Sequence, residues 1–229
     1  MSAAQVGVAT GPLSQLAQAV YQHAALAVCL ALGCAPTVVL VSSLSATPGN
    51  AAFFVLAQLP VAPVLAAGLW AVRAWRDDPE QGPFVLVGHG LRRSVGDVLR
   101  WWVPTVLVAT VLAVDVWASG SVPAAQALRP VALVLAGLLV LWSGHMLVVT
   151  TFFTFRTRDA ARVAAVMLLA QWRVTLAHVS LLVVAVGVTA FGSDALLALS
   201  AWALVSMLEA VSRPVVTDTR ERFTRHDEH

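Results

Sequence analysis

The sequence predicts an all-α, multi-pass membrane protein, and its composition and the placement of its arginines point to that class. Hydrophobic residues make up 59% of the chain and charged residues only 11%, with a mean hydropathy of +0.82. Soluble domains contain roughly half apolar and about a quarter charged residues, so a soluble core does not account for this composition. All 14 basic residues are arginines, and 13 of them fall on one side of six predicted spans. Because cytoplasmic flanks of membrane helices collect positive charge, this bias predicts the orientation of the spans.

Six apolar segments are long enough to cross a bilayer, whose core of about 30 Å takes about 20 helical residues. Turns with almost no cations join them in pairs, and the arginines lie between the pairs and after the last one; Arg129 is the exception. Both termini are therefore predicted to be cytoplasmic, in a bacterial inner membrane. Residues 1–217 form one membrane domain and residues 218–229 a charged cytoplasmic tail. The spans cover about residues 20–44, 51–71, 101–118, 130–153, 174–191 and 195–211, with turns at 45–50, 119–123 and 192–194.

A shorter segment of mixed polarity precedes each pair of spans, at about residues 13–20, 84–99 and 160–172. Its apolar residues recur every three or four positions, which is typical of a helix lying in the membrane interface. The predicted architecture is thus an elbow helix plus a helical hairpin, three times over. Alternatively, the segments are cytoplasmic extensions of the membrane helices. Gly88 and Gly90 favour a bend within the second elbow.

Histidines inside the spans are candidates for function, because an ionisable group in hydrocarbon costs about 2.5 to 3.5 kcal/mol on insertion scales. His145 is the deepest and is expected either to pack between helices or to line a path. His23 and His178 lie near the cytoplasmic ends of the first and fifth spans. They would hold a haem only if they faced each other at similar depth; hydrogen-bonded interfacial histidines are the simpler interpretation.

Three prolines interrupt the first two spans and mark a second candidate feature. Pro60 and Pro63 lie near the middle of the second span and Pro36 in the first. Each removes a backbone donor, and interrupted helices often flank binding sites in transporters. A kink that serves packing alone explains the same prolines, since neighbouring helices can satisfy the freed carbonyls. With His145, these prolines form the candidate path or kink.

The remaining polar residues indicate structural roles rather than catalysis or ligand binding. Arg213 follows Glu209 by four residues, so the two would pair on one helix face near the cytoplasmic boundary. Cys29 and Cys34 both lie in the first span and imply no disulfide framework. No cluster has metal-ligand spacing, and a chain without lysine contains no phosphate-binding Gly-Lys loop. The sequence thus predicts no catalytic residue, metal site or cofactor, and the flanking arginines do not indicate nucleic acid.

Short motifs occur along nearly the whole chain: residues 59–69, Arg73, Phe84, residues 91–94, Asp115, residues 161–164 and residues 171–176. Together they resemble the YesL-like family of bacterial membrane proteins of unassigned biochemical function, although Ala62 departs from the glycine common in the family. Members are typically encoded beside carbohydrate ABC-transporter components, so the resemblance implies an accessory role in sugar uptake and supplies no catalytic residues.

We therefore expect a non-enzymatic accessory protein that binds a carbohydrate ABC permease. A small-solute transporter with a path near the bent first and second spans is the alternative, and a haem or redox membrane protein the second alternative. Expected partners are the bilayer and permease subunits. Gly137 and the small residues around Gly144 allow close helix contact, either within one chain or with a second copy of it. The candidate contacts with a partner or with anionic lipid are Arg73, Arg92, Arg93, Arg162 and Arg173.

Overall fold

The structure, a computed structural model, describes residues 12–77, 81–118, 126–192 and 194–224. These residues contain no strand, so the predicted all-α class is confirmed for them. A short 3-10 helix (Pro48–Asn50) precedes the second of the α-helices. The helices are α1 (Pro12–Ser43), α2 (Ala51–Leu56), α3 (Val61–Asp77), α4 (Pro83–Ala118), α5 (Arg129–Phe152), α6 (Thr157–Ala170), α7 (Trp172–Phe191) and α8 (Asp194–Thr224).

Five stretches of the described chain are long and apolar enough to cross a membrane, which confirms a multi-pass membrane protein in outline. They match the first five predicted spans. The sixth, at 195–211, forms the first part of α8 and is not among the five. The predicted turn at 119–123 and the last residues of the tail, 225–229, lie outside the described residues. The five stretches are Leu16–Ser43, Pro48–Arg76, Pro83–Trp117, Arg129–Phe152 and Trp172–Phe191.

Large apolar side chains cover the outer surface of the long helices. Val39, Val111, Val134 and Val183 are all more than half exposed and lie on four different helices. A contiguous apolar surface of this kind is unfavourable in water and marks contact with a membrane or a partner. The outward faces of α1, α4, α5 and α7 are therefore suited to lipid.

Two of the three predicted elbows are not separate helices. Residues 13–20 continue into the first span within α1, and residues 84–99 continue into the third span within α4. The backbone remains helical through both junctions. Gly88 and Gly90 lie inside α4 without breaking it, and so does Pro104, four residues after the second junction. With 36 residues, α4 is about 54 Å long at 1.5 Å per residue, well beyond the bilayer core.

The third elbow is a helix of its own, α6. It is separated from α7 by Gln171, whose backbone angles of φ −112° and ψ 57° are not helical. The Thr175 hydroxyl compensates for the break by donating to the Leu168 carbonyl at 3.0 Å. A side chain of α7 thereby binds a C-terminal carbonyl of α6 that has no partner within its own helix.

The α3 helix is the centre of the bundle and contacts α1, α4, α5 and α8. Its Leu69 is fully buried, as are Leu30 of α1, Met146 of α5 and Val205 of α8. The α4 helix packs tightly against α3 at Gly90. A Cβ added there would lie 3.1 Å from the carbonyl oxygen of Ala67 and 3.2 Å from its Cα. Glycine at position 90 thus permits backbone contact between the two helices.

Candidate functional site

The second predicted span is broken rather than bent. Its helix stops at Leu56 and restarts at Val61, and Pro60 lies in the intervening turn. Pro63 falls in the first turn of α3, where a missing N–H removes no helical hydrogen bond. Pro36 lies inside the continuous helix α1.

Side chains from two other helices bind carbonyls of the broken segment. The Ala57 carbonyl has no backbone partner among the described residues, whereas the Gln58 carbonyl also accepts from the Val61 N–H at 3.0 Å. The Thr37 hydroxyl of α1 donates to the Ala57 carbonyl at 2.7 Å. The Trp102 indole of α4 donates to the Gln58 carbonyl at 3.2 Å. An unpaired carbonyl in hydrocarbon costs several kcal/mol, so these two bonds stabilise the irregular backbone.

A cavity of about 460 Å³ lies beside the break, within the bundle. Six elements contribute to its wall: α1, the turn and first part of α3, α4, α5, α7 and α8. The α7 contribution follows one helix face at spacings of three and four, through His178, Leu181, Leu182, Ala185 and Thr189. Most of the wall is apolar. None of Pro36, Pro60, Pro63 or His145 belongs to it, although the neighbours of the three prolines do.

His145 instead lies behind the wall, against His178. The two imidazole centroids are 4.7 Å apart with an interplanar angle of 35°, and both residues are buried. His145 Nε2 is 3.0 Å from the Thr175 hydroxyl, the group that also binds the Leu168 carbonyl. His145 thus joins α5 to the junction of α6 and α7, which is a structural contact.

Gly144 makes room for the second histidine. A Cβ at position 144 would lie 2.7 Å from His178 Cδ2, closer than real Cβ contacts occur. The small residues around position 144 therefore serve a contact within this chain. Gly137, by contrast, is exposed and has nothing near its Cβ position.

A pairing of His23 with His178 about a haem, the less favoured interpretation of these histidines, is not what the geometry brings together. His23 makes ring contacts with Trp75 and Trp202, at centroid distances of 6.3 and 5.2 Å. His178 makes its ring contact with His145, and rings 4.7 Å apart leave no room for a macrocycle between them. Within the described ranges there is also no group of three or more metal-ligating side chains.

Glu209 is the centre of an ion-pair cluster that links α3 to α8. Its Oε2 accepts from Arg213 Nε at 3.2 Å, the contact expected from their spacing, and from Arg76 at 2.7 Å. Glu209 is only 1% exposed, whereas the two arginine side chains are about half exposed. The carboxylate is thus buried while its cations reach the surface.

The contacts around Glu209 place several helix ends at one end of the bundle. Arg76 brings the end of α3 to α8, and the Arg73 guanidinium lies 5.3 Å from the ring centroid of Phe152 at the end of α5. The start of α4 joins them, since His89 stacks on Trp70 of α3 at 5.7 Å. We call this region the cationic end; it contains Arg73, Arg76 and Glu209, together with the first part of α4, which includes Arg92 and Arg93.

Four of the five candidate arginines are exposed: Arg92 and Arg93 on α4, Arg162 on α6 and Arg173 on α7. None of the four forms an ion pair with a described acidic residue. The guanidinium carbon of Arg173 lies 5.5 Å from the ring centroid of its neighbour Trp172. Arg73 differs, because it is half-buried against Phe152.

Searches of protein-family models, curated proteins and solved structures find no match to this chain. The YesL-like resemblance consequently rests on the sequence motifs alone.

Sequence reasoning missed the residues that act across the bundle. Arg76, Trp102 and Thr175 contribute to the features above, Trp101 lines the cavity, and none of the four was a candidate. The available signal for Trp101 and Trp102 was a pair of indoles at the start of the third predicted span, since a buried indole N–H requires an acceptor. The contact between Arg76 and Glu209 spans 133 positions, and no local pattern reports it.

Proposed function

We propose that this chain is a non-enzymatic accessory protein of the bacterial inner membrane that associates with a carbohydrate ABC permease through its cationic end. In this proposal it crosses the membrane six times as three hairpin repeats, with both termini in the cytoplasm. The YesL-like resemblance supports the partner class, and the exposed arginines of the cationic end support the surface.

The contacts between the first and last helices support an even number of spans. His23, early in α1, contacts Trp202 of α8 and Trp75 near the end of α3. Glu209, further along α8, pairs with Arg76 at the end of the same α3 helix. The early part of α1 and the later part of α8 thus lie at the same end of the bundle. An odd number of crossings would separate them.

Reporter fusions test this topology. A fluorescent protein that matures only in the cytoplasm, fused after His229, is expected to fluoresce at that position. Alkaline phosphatase, which folds only in the periplasm, is expected to be active when fused after residue 122. Active phosphatase at the C-terminal position, with a dark fluorescent fusion there, would show that the termini lie on opposite sides.

The exposed arginines are the observation that supports a binding surface. Arg92 and Arg93 are adjacent on α4, and both side chains are free of acidic partners in the part of the chain that the structure describes. A guanidinium binds carboxylates in two-pronged geometry and is attracted to anionic lipid. These arginines therefore suit an acidic surface of a permease at the cytoplasmic boundary.

Neutralising the two arginines is expected to weaken retention of the permease. Near an anionic surface each arginine contributes about 1 kcal/mol, so Arg92→Gln with Arg93→Gln should lower affinity about 30-fold. The measurement is the amount of permease that co-purifies with the tagged chain from native membranes. Arg129→Gln, at the start of α5 and outside the cationic end, is the matched control and should change nothing. A wild-type chain that repeatedly isolates without any permease subunit would rule out the proposed partner.

A further inference from the structure

We propose that the cavity binds one largely apolar, membrane-soluble molecule that carries a hydroxyl group: a long-chain or isoprenoid alcohol. This inference does not depend on the permease association, since it concerns the interior of the bundle. The volume of about 460 Å³ falls within the range of about 300 to 1,000 Å³ that is usual for small-molecule pockets.

The side chains of the cavity wall favour an apolar ligand. Leucine, valine and alanine side chains of α1, α3, α5, α7 and α8 form most of it, among them Leu65, Leu147 and Leu181. A sugar placed here would leave several hydroxyls unpaired, at about 1 to 3 kcal/mol each. The cavity therefore does not suit the carbohydrates that the associated permease would carry.

Most polar side chains of the wall already have partners within the protein. The Thr37 hydroxyl and the Trp102 indole bind the turn before α3. The remaining ones bind carbonyls one turn earlier along the chain. Those bonds are Ser143 to Leu139 at 2.7 Å, Thr189 to Ala185 at 3.2 Å and the Gln58 amide to Phe54 at 3.4 Å.

Two nitrogen atoms of the wall residues are different. His178 Nε2 and Trp101 Nε1 are buried and have no hydrogen-bond partner among the residues that the structure describes. The two residues are only 5% and 2% exposed. Both side chains line the cavity. A buried polar atom without a partner is costly, and a ligand group that bonds to it recovers that free energy.

The two nitrogens have complementary roles. His178 Nδ1 lies 2.8 Å from the Val174 carbonyl, which can only accept, so Nδ1 carries the hydrogen of that bond. The neutral ring then presents Nε2 as an acceptor, whereas an indole N–H only donates. A hydroxyl group both donates and accepts, and so suits both atoms. An ether cannot donate to His178, and a carboxylate would place an unpaired charge in the bundle.

The bilayer is the natural source of such a ligand. The α7 helix forms one side of the cavity, yet it is the least buried of the five candidate spans. It packs mainly on α8 and only slightly on α5 and α6. A molecule dissolved in the membrane thus meets a single helix between the lipid and the cavity.

Thermal unfolding of the purified full-length chain in detergent tests the proposal with three matched additives. Hexadecanol, hexadecyl methyl ether and hexadecane are added at equal mole fractions of the detergent, and farnesol is a fourth arm. Ligands that bind the folded state raise the apparent Tm according to their affinity. We expect the better alcohol to bind about tenfold more tightly than the ether. The larger shift, from hexadecanol or from farnesol, distinguishes a straight-chain from an isoprenoid source.

Variants locate the binding. Ala185→Phe fills the cavity and should abolish the shift, whereas Val183→Phe places the same ring on the exposed face of α7 and should preserve it. Trp101→Phe retains an aromatic ring and removes the indole N–H donor, so it should reduce the preference for alcohol over ether. This variant keeps the test decisive if Ala185→Phe does not fold. Equal shifts from alcohol, ether and alkane in the wild type would overturn the proposal. So would an undiminished alcohol shift in Ala185→Phe, or an unchanged alcohol preference in Trp101→Phe.

Discussion

Removing the two arginines bonded to Glu209 is expected to destabilise the protein by about 3 kcal/mol, the lower end of the usual effect of breaking a buried ion pair. The effect falls at that end because Arg73 remains within electrostatic reach of the carboxylate. The variant is Arg76→Leu with Arg213→Leu. Glu209 is 1% exposed, so its carboxylate cannot turn to water when the two guanidinium groups are lost. The free energy of unfolding in detergent, or the apparent Tm at matched protein yield, measures the effect.

The third substitution separates charge burial from lost packing. Adding Glu209→Leu removes the stranded carboxylate and should restore most of the stability, because apolar side chains often replace a buried ion pair without loss. Arg100→Leu is the control: it breaks an exposed pair with Asp97 at 2.8 Å, and such pairs contribute about 0 to 1 kcal/mol. If the triple variant is no more stable than the double, burial of the charge is not the cause.

Gly90→Leu is expected to be the most damaging single substitution on α4. The side chain would meet the Ala67 backbone at 3.1 to 3.2 Å and the Trp70 ring at 3.2 Å, and a backbone cannot turn aside. The two helices would have to separate, and overpacking of this kind costs about 1 to 3 kcal/mol or more. A lower apparent Tm and a smaller monodisperse peak in size-exclusion chromatography are the expected readouts.

A neighbouring glycine on the same helix is the control for this substitution. Gly88 is exposed and has nothing within 4 Å of its Cβ position. Gly88→Leu should leave stability unchanged or raise it by up to about 1 kcal/mol, because leucine favours helix more than glycine does. Similar losses at both positions would mean that α4 requires glycine for its backbone rather than for its contact with α3.

Hydropathy was sufficient to predict the helical class and five of the spans, because a span is a local property of about 20 residues. The elbows were harder to predict. An amphipathic stretch has the same pattern whether the helix continues or turns, and the chain turns at Gln171, where no proline or glycine marks the break. Gly88 and Gly90 suggested a bend, but Gly90 serves the contact with α3 instead.

In the candidate site, too, contacts between residues near in sequence were predictable and contacts between distant helices were not. The contact of Glu209 with Arg213 follows from a spacing of four residues on one helix. Arg76, the shorter contact at 2.7 Å, depends on how α3 packs against α8. His145 was predicted to lie deep in the fourth span and is buried within α5. The neighbouring His178 and Thr175 that define its surroundings come from another helix. Trp101 likewise lines the cavity because of how α4 packs with the other helices.

The break at residues 57–60 also sets the alignment of three helices along the membrane normal. Its carbonyls are bound by Thr37 from α1 and by Trp102 from α4, on separate helices. Sliding α1 by one turn, about 5.4 Å, would withdraw Thr37 and leave the Ala57 carbonyl bare in hydrocarbon. Sliding α4 would remove the indole donor from the Gln58 carbonyl, which would keep only its bond from the Val61 N–H. The irregular turn therefore fixes the depth of α1, and more weakly that of α4, relative to α3, where contacts between apolar surfaces alone would allow the helices to slide.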